Sequence, residues 1–222
     1  MIALEPLLLS FEVATLATAI ATLLGIALGA LLATPRIWGR ELLDAAVTAP
    51  MVLPPTVLGY YLLVVLGRES AIGRTFEALT GSTIVFTRGG AVLAATIGAL
   101  PLISKAARVA LEAVDVRVLG AARTLGASRF RAFFSVALPL ARRGIVSGVL
   151  LGFARALGDF GVTLMVAGNI PGRTRTASLA IYDAVLAGRD DDATRLALLM
   201  TGVAVAVLVG ASYLTRQRRN DF

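Results

Sequence analysis

Apolar residues fall into five long blocks along this chain, at residues 10–33, 45–67, 89–108, 144–166 and 196–215. A helix needs roughly 20 such residues to cross the hydrocarbon core of a bilayer. Inside lipid the backbone must satisfy its own hydrogen bonds, so each block is predicted to be a helix. The first two carry no charge from Val13 to Ala33 and from Ala45 to Leu66. The third reaches full length only if Lys105 and Arg108 snorkel to the interface. The fourth holds Arg155 and Asp159 in its interior. The expected fold is an all-α integral membrane protein, a single domain of five transmembrane helices. Two connections are more than links. Residues 68–88 mix charges with Ile72, Phe76 and Leu79, which predicts a short surface helix. The run from Thr176 to Gly188 is apolar but too short to span, as expected of an interfacial or re-entrant helix. Asp190, Asp191 and Asp192 then read as a solvated turn.

Composition narrows the chemistry. The 222 residues are 57% apolar with mean hydropathy +0.83, values of the membrane class. Glu5 and Glu12 stand where a cleavable signal would carry cations, so the first block is read as a retained span. The chain has no cysteine and no histidine. That excludes disulfides, Cys/His metal sites and Ser-His or Cys-His catalysis. No Gly-rich phosphate loop ending in Gly-Lys-Ser/Thr occurs, so this chain is expected to bind no cofactor, and any ATP and Mg belong to another polypeptide. No nucleic-acid partner is expected.

Loop charges set an orientation. Thirteen Lys and Arg fall in one set of loops: Arg36 and Arg40, residues 105–143, and Arg216, Arg218 and Arg219. Seven fall in the other set, and Arg155 stays in the membrane. The richer set is expected in the cytoplasm, which puts the N-terminus outside and the C-terminus inside.

The connection at 109–143 holds the first candidate site. Gly120, Ala121 and Ala122 are small enough for a helix to approach a partner closely, and Gly126 suits a left-handed cap. Ala127 restarts the chain, and Arg129 and Arg131 add charge. Phe130, Phe133, Phe134 and Val136 recur at helical spacing, and Leu138-Pro139 suits a helix boundary. From these residues alone the segment is either a docking element for a soluble partner or an interfacial helix with snorkelling arginines.

Other candidates lie in the spans. Pro54 and Pro55 should break the second block, leaving freed carbonyls and Thr56 to face a pathway, or making only a packing kink. Pro101 is placed to do the same in the third block. Arg155 sits near mid-depth, where a charge must be paired or wet. Asp159, four residues on, shares its helix face. The two read as a structural ion pair or as a gate at a subunit seam. Thr96, Ser104 and Thr163 offer hydroxyls to a passing anion. Gly25, Gly29, Gly144, Gly148 and Gly152 permit close helix packing. Beyond the fourth block, Asn169 to Thr176, with Pro171, Arg173 and Arg175, reads as a solvated turn or as a docking site for a protein that delivers an anion.

The Gly120–Pro139 stretch resembles the coupling motif of ABC importer permeases: E-A-A, three residues, G, nine residues, then I-x-L-P. Ala121, Ala122, Gly126, Leu138 and Pro139 are in register, while Gly120 stands for Glu and Val136 for Ile. Residues 49–62 (APMVLPPTVLGYYL) and 111–126 are similar to molybdate permeases. Residues 153–182, with FARALGDFG and GNIPGRTRT, resemble molybdate and sulfate permeases. The resemblance covers nearly the whole chain. It implies a type I ABC importer permease-like fold and a non-catalytic subunit in the plasma (inner) membrane of a prokaryote. It further implies a homodimer forming the pathway, two cytoplasmic ATPase subunits on the 120–139 loops, and an extracytoplasmic molybdate-binding protein. The implied cargo is molybdate or tungstate, with sulfate or thiosulfate as the alternative. A gradient-driven secondary anion carrier fits less well, because the chain has few spans and no inverted repeat.

Overall fold

The computed structural model describes residues 4–34 and 38–215. Arg36, Arg216, Arg218 and Arg219 of the charge tally lie outside the described residues. Among the described residues the structure is entirely helical, with four helices long and apolar enough to cross a membrane and a fifth span if one bent pair is counted.

The first block is α1 (Leu4–Ala33). The second is two helices, α2 (Arg40–Val52) and α3 (Pro55–Leu66), meeting at 114°. Pro54 adopts an extended conformation and caps α3, and Pro55 takes its first position, where a missing N–H leaves nothing unsatisfied. The surface helix expected after this block is α4 (Ala71–Thr80), capped by Ser70. The third block is α5 (Arg88–Glu112). Pro101 does not divide it. The helix runs on through it, with Ala99 and Ile103 on either side packed in the core shared with α1 and α8. Arg108 does not snorkel; it pairs with Asp44 and Glu112.

A short α6 (Val116–Thr124) precedes a continuous helix of 29 residues, Arg129–Leu157. That helix comprises α7 (Arg129–Ala132), a π-turn (Phe133–Ala137) and α8 (Leu138–Leu157). Pro139 is therefore not a helix boundary. The Leu138 N–H reaches back to the Phe133 carbonyl, and this widened turn gives the proline ring room. The fourth block breaks instead at residues 158–160, after which α9 (Gly161–Ala167) resumes. The short apolar helix α10 (Ala177–Leu186) leads to α11 (Asp190–Thr215). Asp190, Asp191 and Asp192, expected as a solvated turn, are the first turn of α11, with Asp190 and Asp191 exposed. Carboxylates at a helix N-terminus complement its dipole.

The hub is α5. In its apolar stretch 61% of residues are buried, against 11% for α11. Ala91, Ala95, Ala99 and Ile103 of α5 share one cluster with Val13, Ala14, Ala17 and Ala21 of α1 and Ala156 of α8. Glycines make this closeness possible. A Cβ at Gly25 or Gly29 of α1 would stand 2.8 Å from Ile103 or Ala107, and one at Gly144 of α8 would stand 2.6 Å from Ala110. Lipid tails solvate apolar side chains as well as protein does, so such van der Waals contact is what joins the helices.

Gly148→Val tests this. Its side chain would collide with Ala106, and overpacking of this kind costs about 1–3 kcal/mol. The thermal midpoint of the detergent-solubilised protein is expected to fall. Gly202→Val, which points into open space, is expected to leave it unchanged.

Candidate functional site

The two helix breaks face each other. A Cβ at Gly161, which opens α9, would lie 2.8 Å from Pro55, which opens α3. One helical turn on, Gly59 rests against Met165. Beside this contact Asp159 is buried, with 3% of its surface exposed. One carboxylate oxygen accepts from Arg155 Nη1 at 2.8 Å. The other accepts from the Thr163 N–H at 3.0 Å and the Thr163 hydroxyl at 2.7 Å. Asp159 thus binds a free N–H of α9's first turn, the competition with helix continuation at which Asp excels. The pair does not share one helix face: Arg155 ends α8, and Asp159 sits in the break. The Arg155 guanidinium lies against Gly98 of α5, 3.4 Å from where a Cβ would be.

These bonds consume groups expected to meet a passing anion. Thr163 is spent on Asp159. Thr96 is buried and donates to the Val92 carbonyl at 2.7 Å, and Ser104 is fully buried, its hydroxyl without a partner among the described residues. The structure does not bring the three hydroxyls into one pathway. Pro54, Pro55 and Thr56 are exposed on the α2–α3 elbow.

The 169–176 segment is folded on itself. Thr174 is fully buried, accepts from the Ile170 N–H at 3.1 Å and donates to the Gly168 carbonyl at 3.2 Å. Gly168 and Gly172 supply positive φ of 72° and 73°. Arg175 donates to Asn169 Oδ1 at 2.9 Å and pairs with Asp183 at 3.2 Å. Asn169 and Arg175, expected to face a partner, are thus tied to each other, whereas Arg173 has no ion-pair partner among the described residues. Arg173 lines an open cleft of about 910 Å³ with Arg68, Ser70, Phe86 and Thr87. Pro171 borders a smaller one, of about 510 Å³, with Glu5 and Glu12.

Arg88 holds this segment and was missed by sequence reasoning. Its guanidinium donates to the carbonyls of Arg173 at 3.2 Å and Gly172 at 3.1 Å, and lies 3.5 Å from Glu12. Ser10 was missed too: its buried hydroxyl accepts from the Ala177 N–H at 2.7 Å. No local spacing signals contacts between residues so distant in the chain.

At the opposite end of α5, residues 120–130 form a largely exposed surface. Asp115 caps α6 by accepting from the Arg117 N–H at 2.8 Å. Gly126 has φ +89°, its N–H reaches the Arg123 carbonyl, and the Ala127 N–H reaches the Ala122 carbonyl at 3.0 Å. That is a Schellman cap, the helix end expected from the glycine. Ser128 then caps α7 through the Arg131 N–H at 3.2 Å. Gly120 and Ala121 are exposed, Ala122 and Ala127 half-buried, and Arg129 exposed. A hollow of about 500 Å³ is lined by Gly120, Arg123, Thr124, Ala127, Ser128 and Arg129. Leu125 beside it is 89% exposed. Phe130 and Phe134 stack at 4.5 Å but remain exposed, while Phe133, Val136 and Leu138 turn toward the body.

Removal of Arg155 strands a buried carboxylate, which costs about 3–5 kcal/mol when nothing replaces the partner. Arg155→Leu is therefore expected to lower the thermal midpoint more than Arg155→Leu combined with Asp159→Asn. The asparagine keeps an oxygen for Thr163 and carries no charge. A double variant less stable than the single would refute the pairing.

Comparison with known proteins places these features in a family. Residues 21–217 match the family model described as "Binding-protein-dependent transport system inner membrane component". The chain is 43% identical over 216 residues to the "Molybdenum transport system permease protein ModB" of Escherichia coli strain K12, covering 97% of this chain and 94% of that one. It is 40% identical over 213 residues to the protein of the same name from Mycobacterium tuberculosis, covering 94% and 78%. Among solved structures, it superposes on a chain of the MetNI methionine ABC transporter in inward-facing conformations with TM-score 0.76 at 16% identity, covering 97% and 95%. A bacterial alginate ABC transporter with its periplasmic protein gives TM-score 0.75 at 15% identity, covering 98% and 79%. Those likenesses show a shared fold, in agreement with the ABC permease-like fold expected from the sequence.

Proposed function

The chain belongs to the family of binding-protein-dependent transport system inner membrane components, and from that premise we propose that it is the permease subunit of an ATP-driven molybdate importer. It is a multi-pass inner-membrane protein of a prokaryote. The observation that carries the coupling role is the capped, exposed α6–Gly126–α7 surface, continuous with a helix that enters the core. Similarity to molybdenum permeases over nearly the full chain supports the cargo.

In this reading two copies line the pathway, with the N-terminus outside. Two ATPase subunits, which bind ATP and Mg, seat α6 in the cytoplasm, and a binding protein delivers the oxyanion near Arg173. ATP binding draws the ATPases together and displaces α6. Because α7, the π-turn and α8 form one rod, the displacement reaches the break at 158–160 without an intervening joint. There α9 bears on α3 through Gly161 and Pro55, so the elbow of the second span moves with it. Arg155 and Asp159 neutralise each other, which suits a strut better than an anion site. This chain hydrolyses nothing. Tungstate shares the tetrahedral dianion chemistry of molybdate, and sulfate is the smaller competitor.

ATP-dependent uptake of labelled molybdate into vesicles holding this chain, its ATPase and its binding protein tests the reading. Uptake that persists in excess sulfate is expected. Loss to sulfate reassigns the cargo, and uptake without ATP overturns the importer.

Gly126→Val probes the coupling surface. The left-handed conformation costs a β-branched residue about 1–3 kcal/mol, and open space around Gly126 means no other contact changes. Membrane insertion is expected to remain normal while import per ATP hydrolysed falls. Parental uptake by this variant would remove α6 from the mechanism.

A further inference from the structure

Four charged residues outside the core tie α2 to the end of α5. Arg40 donates to Glu112 Oε1 at 2.6 Å, Arg108 Nε donates to the same oxygen at 3.0 Å, and Arg108 Nη1 donates to Asp44 Oδ2 at 2.9 Å. The chain of contacts runs Arg40, Glu112, Arg108, Asp44, so signs alternate and the sum is neutral. The four side chains are 24–39% exposed, which shields the charges from full solvent screening. Each helix presents one cation and one anion four residues apart, and the two helices interlock crosswise.

The position of this chain of charges is what gives it a role. Among the described residues Val47 is the only buried residue of α2. The ion chain is therefore the most specific hold that the body of the protein has on α2. Through Leu53, α2 leads into the Pro54–Pro55 elbow, whose far arm rests on α9. At the other end, Glu112 is separated from Asp115, the cap of α6, only by Ala113 and Val114. A displacement of α6 thus meets Glu112 first and α2 next. Two polar atoms at the junction, Arg40 Nε and Asp44 Oδ1, are buried with no hydrogen-bond partner among the described residues.

We propose that Arg108 and Glu112 are positioning residues for transport: they pass the displacement of α6 to α2, and so to the elbow of the second span. This rests on the reading that a partner ATPase seats α6. The residues touch no cargo. They provide a second route to the elbow, parallel to the α8–α9 route.

The test uses the full complex, this chain with its ATPase and binding protein, in proteoliposomes. Molybdate import and ATP hydrolysis are measured on the same vesicles. Arg108→Gln removes the charge and the Nη group that join the two acids, leaving a shorter neutral amide. Import per ATP is expected to fall roughly fivefold while hydrolysis persists, within the range reported for changes along coupling elements. Arg108→Lys keeps the charge but lacks the guanidinium fork that reaches both acids, so it is expected to fall between the parent and Arg108→Gln. It also serves if the glutamine variant does not assemble. Parental import per ATP in the assembled variants overturns the proposal. So does a proportional loss of import and hydrolysis, which marks a purely structural role. A parent complex that imports without ATP, or that captures no ATPase, overturns the underlying reading instead.

Discussion

Close contact between backbones, permitted by glycine and alanine, is the constraint on which the rest of this structure depends. A membrane helix gains nothing from burying leucine against leucine when lipid offers the same environment. Gly25 and Gly29 bring α1 onto α5, and Gly144, Gly148 and Gly152 bring α8 onto it from their own helix. With α5 fixed between these neighbours, large apolar side chains such as Leu23, Val64 and Leu198 are left on the outside for lipid or a second copy. The small residues thus decide which faces are inside. The large ones decide only that the helices stay in the membrane.

Polar groups within that frame are placed where the backbone is interrupted. Asp159 satisfies an orphan N–H at the start of α9, takes the Thr163 hydroxyl and binds Arg155. A buried carboxylate is tolerable with that many donors. The break it stabilises lies against the proline break of the second span, so two discontinuities share one place. Irregular backbone at membrane depth is sustainable only where protein or a watery cavity covers it. Here the two breaks touch through Gly161 and Pro55, and the outer side of the elbow at Pro54–Thr56 is left exposed.

Outside the core, local chemistry is enough to build the elements. The Schellman cap at Gly126 and the serine cap at Ser128 define the α6–α7 corner without help from distant residues. That is why the helix end at this corner was legible from the pattern of small residues and glycine. The segment at 169–176 is the opposite case. Its arginines look alike in sequence, yet Arg175 is bound internally to Asn169 and Asp183 while Arg173 is not. Only the path of the loop over α1 and α5, clamped by Arg88, separates them.

The sequence by itself determined the number and approximate place of the apolar segments, the break at Pro54–Pro55, the cap at Gly126 and the need of Arg155 for a partner. Each follows from an interaction within a few residues, or from the thickness of a bilayer. It misplaced the end of the fourth helix, made Pro139 and Pro101 breakpoints, and read Asp190, Asp191 and Asp192 as a turn where a helix begins. Those outcomes turn on competition between local preference and packing. A π-turn absorbs Pro139, α5 runs on through Pro101 with core-packed residues on either side, and Asp159 diverts the chain by capping the next helix. Which hydroxyls are spent, which arginine lacks an ion-pair partner among the described residues, and how Arg40, Asp44, Arg108 and Glu112 join were decided by tertiary structure alone. Contacts between residues 64 to 85 positions apart leave no local trace in the order of side chains.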